Sequence, residues 1–278
     1  RRMSDFSRIA KLAKRLATER MFSMRMYIML PILVLFIPGM AWGFSDPDIV
    51  LPGGHQPESA MEVLFYASLG VVFGATVCAV LLSYDSVSRE RASGVLELRL
   101  SQPMPRSHQA LSIALGAWKA ILIPTWLLLL LSLIIVRYRM GEWISPADFI
   151  VYFVSTALIL LWYVLFTLMA SSFTREQATS ISFGIGMWFL FTFLWALVTT
   201  MVAFASGVAI GQENDASWIM LEGALDLLSP NGVYHHLLES RLPQIDRGIA
   251  SWQSWGMALV WTVVPFWVFI RRMKRVIP

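Results

Sequence analysis

The feature that most constrains this chain is a series of six long apolar segments separated by shorter charged stretches. A helix needs about 20 apolar residues to cross the hydrocarbon core of a bilayer, and the segments approach or exceed that length. Because backbone polar groups cannot stay unpaired in lipid, each segment is predicted to be a helix. The expected spans cover about residues 26–43, 61–83, 117–136, 149–171, 180–208 and 254–270.

Composition agrees with a membrane protein. Hydrophobic residues make up 57% of the chain and charged residues 14%, against roughly 25% charged residues in soluble domains. The net charge of +4 could indicate nucleic-acid binding, but the basic residues gather at the edges of the apolar segments, so no nucleic-acid partner is expected. A single cysteine, Cys78, rules out an internal disulfide. The expected fold is an all-α polytopic membrane protein in the cell membrane.

The distribution of lysine and arginine predicts the orientation of the spans. Residues 1–25 carry eight of them, residues 84–110 carry four, and four more follow Ile270. Because cytosolic loops are enriched in basic residues, both ends of the chain are expected in the cytosol. Residues 26–278 then form one six-helix domain with cytosolic loops at 84–110 and 171–180. Its largest extracytoplasmic segment is 209–253.

The stretch at 1–25 is predicted to contain an amphipathic helix on the cytosolic membrane face. Its apolar residues recur at spacings of three and four, with basic residues around the rest of the helix, which suits contact with lipid. The apolar stripe consists of Phe6, Ile9, Leu12, Ala13 and Leu16. A signal peptide is the competing interpretation, but the basic region is long and no convincing cleavage site follows it.

Residues 84–110 have more pattern than a charged linker needs. A basic–acidic–basic triplet at 89–91 leads into Gly94, a run of alternating leucines at 95–100, and two prolines. Asp85 or Ser86 can cap a short helix, and Gly94 can end or bend it. The prolines then turn the chain into the third span. This pattern favours a short helix across the inner face over the alternative, a solvated loop that merely obeys the positive-inside rule.

The series resembles the first cytosolic loop of the type 2 ATP-binding-cassette (ABC-2) export permeases. In that family an acidic–basic cluster precedes Gly-Thr-Leu-Glu, a leucine run and a Pro-x-Ser-Arg turn. Two positions depart from the family pattern, since Val95 replaces the usual threonine and Ser112-Ile113 replaces a common glycine-lysine pair. Within the family, Gln102-Pro103 and the chain length look most similar to the permease group of the nitrous-oxide-reductase maturation transporter. The matching residues are Glu90, Arg91, Gly94, Leu96, Glu97, Pro103 and Arg106.

The resemblance implies a transport subunit whose cytosolic coupling helices contact a separate ATPase. The implied partners are an ATP-binding-cassette ATPase subunit, a second permease copy in a homodimer, and membrane lipid. ATP and Mg²⁺ would be bound by the ATPase, with no cofactor in this chain, and the sequence contains no Gly-x-x-x-x-Gly-Lys-Ser/Thr phosphate loop. The implied ATPase contacts are Arg89, Glu90, Arg91, Gly94, Leu96, Glu97, Pro103 and Arg106 in the first loop, and Arg175 and Glu176 in the second.

The outer segment at 209–253 is acidic. Within it, residues 218–228 have a helical pattern that places Glu222 and Asp226 one turn apart, and Ser229-Pro230 is expected to stop this helix. The segment is too polar to span a membrane. It is expected to lie at the outer interface, or to dip into the membrane from outside, as a lid on the exit path.

Two other classes of function compete with a transport subunit. An intramembrane enzyme would need a buried catalytic set, but the sequence has neither His-Glu-x-x-His nor Gly-x-Ser-x-Gly. The His235-His236 pair near Glu239 is a poor chelate, because adjacent helical residues point about 100° apart, so no metal site is expected. A non-catalytic scaffold or channel component stays an alternative, although the nearly charge-free spans do not suggest a pore lined by charged rings.

Overall fold

The computed structural model describes residues 5–51, 54–95, 104–210, 215–243, 245 and 247–275, and no β-strand occurs among them. Two π-helical turns, Val71–Ala75 and Leu190–Leu194, interrupt the α-helical segments. The α-helices are α1 Asp5–Met21, α2 Met24–Phe44, α3 Ala60–Ala67, α4 Thr76–Ser83, α5 Ser88–Ala92, α6 Arg106–Met140, α7 Pro146–Phe173, α8 Gln177–Phe189, α9 Trp195–Ser206, α10 Ala216–Asp226, α11 Pro230–Glu239 and α12 Ser251–Arg275.

Six helical stretches in this part of the chain are long and apolar enough to cross a membrane, which confirms the predicted count. The cytosolic location of both chain ends stays a prediction, made from the charge distribution. The six stretches are Met24–Phe44, Ala60–Ala92, Arg106–Met140, Pro146–Phe173, Gln177–Ser206 and Ser251–Arg275.

The second and fourth spans form the centre of the bundle. In their most apolar windows, 72% and 67% of residues are buried within the protein, against 11% in the fifth span. On α7, the Trp162 Nε1 donates to Thr262 Oγ1 (2.9 Å) and the Tyr163 hydroxyl donates to Asn231 Oδ1 (2.8 Å). These bonds tie the central helix to α12 and to α11, which belongs to the outer segment.

Glycine sets the approach of the first span to the second. A Cβ atom on Gly70 would collide with the carbonyl oxygen of Phe36. One turn further on, a Cβ atom on Gly74 would press against the side chain of the same phenylalanine. Small residues are needed wherever two membrane helices meet at backbone distance. The α2 helix is therefore fixed against the central second span.

The third span is longer than predicted. The α6 helix has 35 residues, or about 52 Å at 1.5 Å per residue, whereas the hydrocarbon core is about 30 Å thick. It begins at Arg106 rather than near residue 117, because no helix-breaking residue follows Pro105 until Pro124. The helix therefore projects well beyond the predicted span.

The first turns of α6, which lie before the predicted span, cover α1. Ile9, Ala13 and Leu16 are buried, α1 packs on α6, and Ser112 Oγ on α6 donates to the Ile9 carbonyl (3.4 Å). Part of the stripe predicted to rest on the membrane is thus buried against protein instead, while Phe6 is exposed. Lipid contact by the rest of α1 stays a prediction.

Candidate functional site

The first of the two loops predicted to be cytosolic begins with the short helix α5, which is held by the end of α7. The backbone N–H groups of Val87 and Ser88 donate to Ser171 Oγ, at 3.1 and 2.9 Å. The expectation that Asp85 or Ser86 caps this helix is wrong, because no side chain of the loop itself makes the capping bond. The cap comes instead from Ser171, which lies 84 residues beyond Val87 and 83 residues beyond Ser88 in the chain.

The second loop predicted to be cytosolic is bonded to the same region from its other side. Ser180 Oγ on α8 donates to the Tyr84 carbonyl (2.6 Å). Ser171 and Ser180 flank the second loop, and both are fully buried. The start of the first loop therefore lies between the two ends of the second, and the two loops predicted from sequence form one continuous surface, called here the coupling surface.

Asp85 links the coupling surface to the first span. Its carboxylate pairs with Arg25 of α2 (2.9 Å) and with Arg89 of α5 (3.7 Å), and only 10% of its side chain is exposed. The Arg25 guanidinium also lies over the ring of Tyr84, 5.0 Å from its centroid. Arg25, Asp85 and Arg89 line a polar groove of about 540 Å³ between α1 and α5. The groove is large enough to receive side chains of another protein.

The predicted contact residues lie on or beside this surface where the structure describes them. Gly94 ends the first turn of the loop with φ of +73°, the left-handed conformation that favours glycine. Arg106 begins α6, and its Nη1 donates to the Lys274 carbonyl near the end of α12 (3.1 Å). Arg89, Arg175 and Glu176 are exposed, whereas Glu90 and Arg91 are half-buried. Outside the described residues lie Leu96, Glu97 and Pro103, so their contacts stay predictions.

The segment predicted to be extracytoplasmic has a different kind of site, a compact ion network. The predicted helix with Glu222 and Asp226 one turn apart is confirmed as part of α10, and Ser229 caps the following helix, α11. Arg247, which precedes α12, bridges both helices. Its Nη1 lies 3.5 Å from Glu222 and from Asp226, and its Nη2 lies 3.0 Å from Glu239 of α11.

His236 completes this outer network. Its Nε2 lies 3.1 Å from the Gly223 carbonyl, and its Nδ1 lies 2.9 Å from Glu239 Oε2. Because a carbonyl oxygen can only accept, Nε2 must carry a proton. The Nδ1 contact with Glu239 joins two side chains that are 4% and 6% exposed. The pair locks α11 to α10.

Burial and charge shift the ionisation of the network. Burial raises the pKa of Asp226 to about 6 against the opposing charges of His236 and Arg247. Burial also lowers the pKa of His235 to about 4. Burial acts to raise the pKa of Glu239 as well, but the His236 hydrogen bond and the Arg247 charge outweigh it and hold that pKa below its usual range. The network thus keeps Glu239 ionised near neutral pH.

Neither surface offers a metal centre. Across the part of the chain that the structure describes, no group of three or more histidine, cysteine, aspartate or glutamate side chains is arranged to hold a metal ion. His236 is committed to Glu239 and Gly223, and His235 packs its ring edge-on against Phe65. What both sites provide is electrostatic and hydrogen-bonded linkage between helices, which suits transmission of motion better than bond chemistry.

A family comparison decides what kind of membrane protein this is. The model of the "ABC-2 family transporter protein" family matches residues 6–276, which include all six candidate spans and both loops predicted to be cytosolic. The chain belongs to the ABC-2 transporter family. It is therefore a multi-pass membrane component of an ABC transporter, and the family is a transport family rather than an enzyme family. A comparison with curated proteins gave no match.

Sequence reasoning missed the residues that hold the ABC-2 permease together at both ends. Ser171 and Ser180 carry no local signal of a capping role, because the groups they bond lie far away in the chain. The outer network was partly visible, since Glu222 and Asp226 share a helix face, as do His236 and Glu239. Arg247 lies eight residues beyond Glu239, in a segment without helical pattern, and only the folded chain shows that it joins them.

Proposed function

We propose that this chain is the permease subunit of an ATP-driven exporter in the cell membrane, and that a separate ATPase subunit docks on the coupling surface. The observation that carries the proposal is the bonding of the first loop to both ends of the second through Ser171 and Ser180. A partner that presses on α5 would displace both loops together. No part of the described surface needs a cofactor for that role.

The geometry supports a route for the motion. Ser171 ends α7, the central helix, so displacement of α5 is passed to the core of the bundle. Ser180 lies at the start of α8, so the same displacement reaches the fifth span. The fifth span is the least buried of the six, which leaves it the most room to move. At the outer end, α7 is bonded to Asn231 of α11, so the motion reaches the segment expected to cover the exit path.

Two further parts of the proposal concern assembly and cargo. The exporter would contain two permease copies, since the sparsely buried fifth and sixth spans leave broad apolar faces for helix association or lipid. Membership of the group that serves nitrous-oxide-reductase maturation is supported only by Gln102-Pro103 and by chain length. It predicts a cargo used in enzyme maturation.

The first experiment is purification of the chain from its native membrane in a mild detergent, with mass spectrometry of the proteins that come with it. We expect a partner that carries a phosphate loop, in equal amount, with ATPase activity. A chain that comes out alone under several detergents, with no ATPase activity, would reject the ATP-driven mechanism and favour the scaffold alternative.

Variants at the loop junction test the coupling itself. Ser171→Ala removes the oxygen that accepts from Val87 and Ser88, and Ser180→Ala removes the donor to Tyr84. We expect each variant to bind the ATPase subunit while the ATPase activity of the complex loses its response to the permease. The matched control is Ser206→Ala, because the exposed Ser206 bonds only a carbonyl of its own helix. Equal effects of all three changes would contradict the proposed route.

A further inference from the structure

Three arginines from separate parts of the chain meet beside the coupling surface. Arg91 lies at the end of the second span, Arg175 in the second cytosolic loop, and Arg272 near the end of α12. The positive charges of Arg175 and Arg272 both act on Arg91. We call this group the arginine triad.

Specific contacts place the triad. Because α5 is capped by Ser171, Arg91 is held over the end of α7. Arg272 Nε donates to the Ser172 carbonyl (3.4 Å), and its guanidinium lies over the Phe173 ring, 4.8 Å from the centroid. Arg175 follows two residues later, in the turn between α7 and α8. Three helix ends therefore present positive charge at one location.

The triad forms no ion pair within the described part of the chain, and the buried Arg91 Nε makes no hydrogen bond there. Of the nearby acids, Asp85 pairs with Arg25 and Arg89, and Glu176 accepts a hydrogen bond from Thr179. A buried polar group without a partner costs stability, and like charges repel. Such an arrangement is poor for folding and well suited to receiving an anion.

We propose that the arginine triad is a receptor for an acidic segment, bearing aspartate or glutamate side chains, on the ATPase subunit. This inference rests on the proposed function and adds the chemistry of the contact. The flat guanidinium fork binds carboxylates with two parallel hydrogen bonds, and it does so more specifically than an ammonium group. One acidic segment would then join both cytosolic loops and the end of α12, so the partner would grip three spans at once.

The neighbouring Arg271 shows why a protein carboxylate fits better than a lipid headgroup. Arg271 lies over the Trp267 ring (4.8 Å), and Trp267 is 55% exposed on the outer face of α12. That pairing of arginine and tryptophan suits the edge of a membrane. Arg272 points about 100° away, toward the loops. The chain thus separates one arginine on the lipid-facing side of α12 from a neighbour on the coupling surface.

The test compares charge reversal at these two positions. The permease is placed in lipid nanodiscs of phosphatidylcholine, and binding of the ATPase subunit that copurifies with it is measured at several salt concentrations. We expect Arg175→Glu and Arg272→Glu each to weaken binding about tenfold or more, and to reduce its salt dependence. Arg271→Glu makes the same change of charge and should alter the affinity less than twofold. Melting temperatures of all variants establish that they are folded. If charge reversal disturbs folding, Arg175→Gln and Arg272→Gln replace the reversed variants, and each should cause a smaller loss of ATPase binding.

Each outcome decides between explanations. If the wild-type chain binds no ATPase, the proposed function fails. If it binds the ATPase but the triad variants bind equally well, the proposed function stands and the receptor does not. Equal losses at Arg271 and Arg272 would mean that only general positive charge matters, which also overturns the receptor. The receptor is likewise overturned if the triad variants lose only a dependence on added phosphatidylglycerol, because the ligand is then a lipid headgroup.

Discussion

Two groups of arginines in this ABC-2 permease, at opposite ends of the bundle, are treated in different ways. At the end predicted to be extracytoplasmic, Arg139, Arg241 and Arg247 all pair with carboxylates, at 2.6 to 3.5 Å. Beside the two loops predicted to be cytosolic, the arginine triad has no such partner among the described residues. Paired buried charges fix the arrangement of helices, whereas gathered unpaired charges leave binding energy for another molecule. The contrast suggests that the outer end is stabilised by its own chain and the inner end is completed by a partner.

The largest effect is expected from a variant that disrupts the outer ion network. Arg247→Ala would leave Glu222, Asp226 and the buried Glu239 without their shared cation. Removing one partner of a buried ion pair costs about 3 kcal/mol of unfolding free energy, and thermal unfolding in detergent would measure it. The control is Arg137→Ala, because Arg137 contacts the Trp143 ring rather than a carboxylate.

The inner counterpart of that variant sharpens the contrast. Arg272→Ala removes a repelled charge together with the hydrogen bond to the Ser172 carbonyl and the contact with the Phe173 ring. These effects oppose each other, so the melting temperature should change far less than in Arg247→Ala. A loss of stability at Arg272 as large as that at Arg247 would show that the two ends do not differ in the way described.

Two glycines give the next largest difference. A Cβ atom on Gly232, at the start of α11, would collide with the backbone of Asp226, so Gly232→Ala should cost about 2 kcal/mol of stability. Gly94 has open space around it but a left-handed backbone, so Gly94→Ala should cost about 1 kcal/mol through strain alone. Chemical denaturation of both variants measures the difference. Equal costs would mean that the outer helices are packed no more tightly than the cytosolic turn.

The smallest predicted effect is on the pH dependence of stability. Because the folded pKa of Asp226 is raised from 3.8 to about 6, Asp226 contributes stability at low pH that is lost as the pH rises through that range. His235 has its pKa lowered from 6.5 to about 4, so its contribution is lost as the pH falls through that range. The two effects oppose each other, and the wild-type melting temperature should change little between about pH 4 and 6.

Single substitutions would separate these opposing contributions. In Asp226→Asn the melting temperature should fall by about 3 °C between pH 6 and 4, because the His235 contribution remains. The groups that act on His235 there are Glu239, Arg247 and His236, and they are unchanged. In His235→Phe the melting temperature should instead rise between pH 6 and 4, because only the Asp226 contribution remains. Parallel pH profiles for both variants would show that the outer network does not titrate as described.

Local patterns predicted much of the fold. Hydrophobic length gave the number of spans, and the spacing of Glu222 and Asp226 gave α10. Capping, packing and charge pairing between distant segments were not predictable in the same way. Ser171 looks like any small polar residue near the end of a membrane helix. The apolar stripe of α1 was predicted to contact lipid, because the sequence does not show that α6 extends over it. Those features depend on which helices become neighbours, and periodicity along the chain carries no such information.

The candidate site, like the fold, could be predicted only in part from the sequence. The loop pattern predicted ATPase contacts in both loops, which stays a prediction, and Arg272 was absent from the predicted contacts. Its position beside Arg91 and Arg175 depends on α12 returning to the end of α7, as the bond from Arg272 to Ser172 records. Sequence could assign Arg272 only to the basic tail that orients the protein.

The packing of α1 on α6 has a consequence for biosynthesis. Ile9 and Ser112, which meet in the finished protein, are separated by 103 residues. At a ribosomal rate of roughly 5 to 20 residues per second, the apolar stripe of α1 leaves the ribosome roughly 5 to 20 s before its protein cover. During that interval the membrane surface is the natural shelter for an amphipathic helix of this kind. The helix would change from a lipid-bound nascent segment to a buried structural element, with insertion of the third span as the event that ends its exposure.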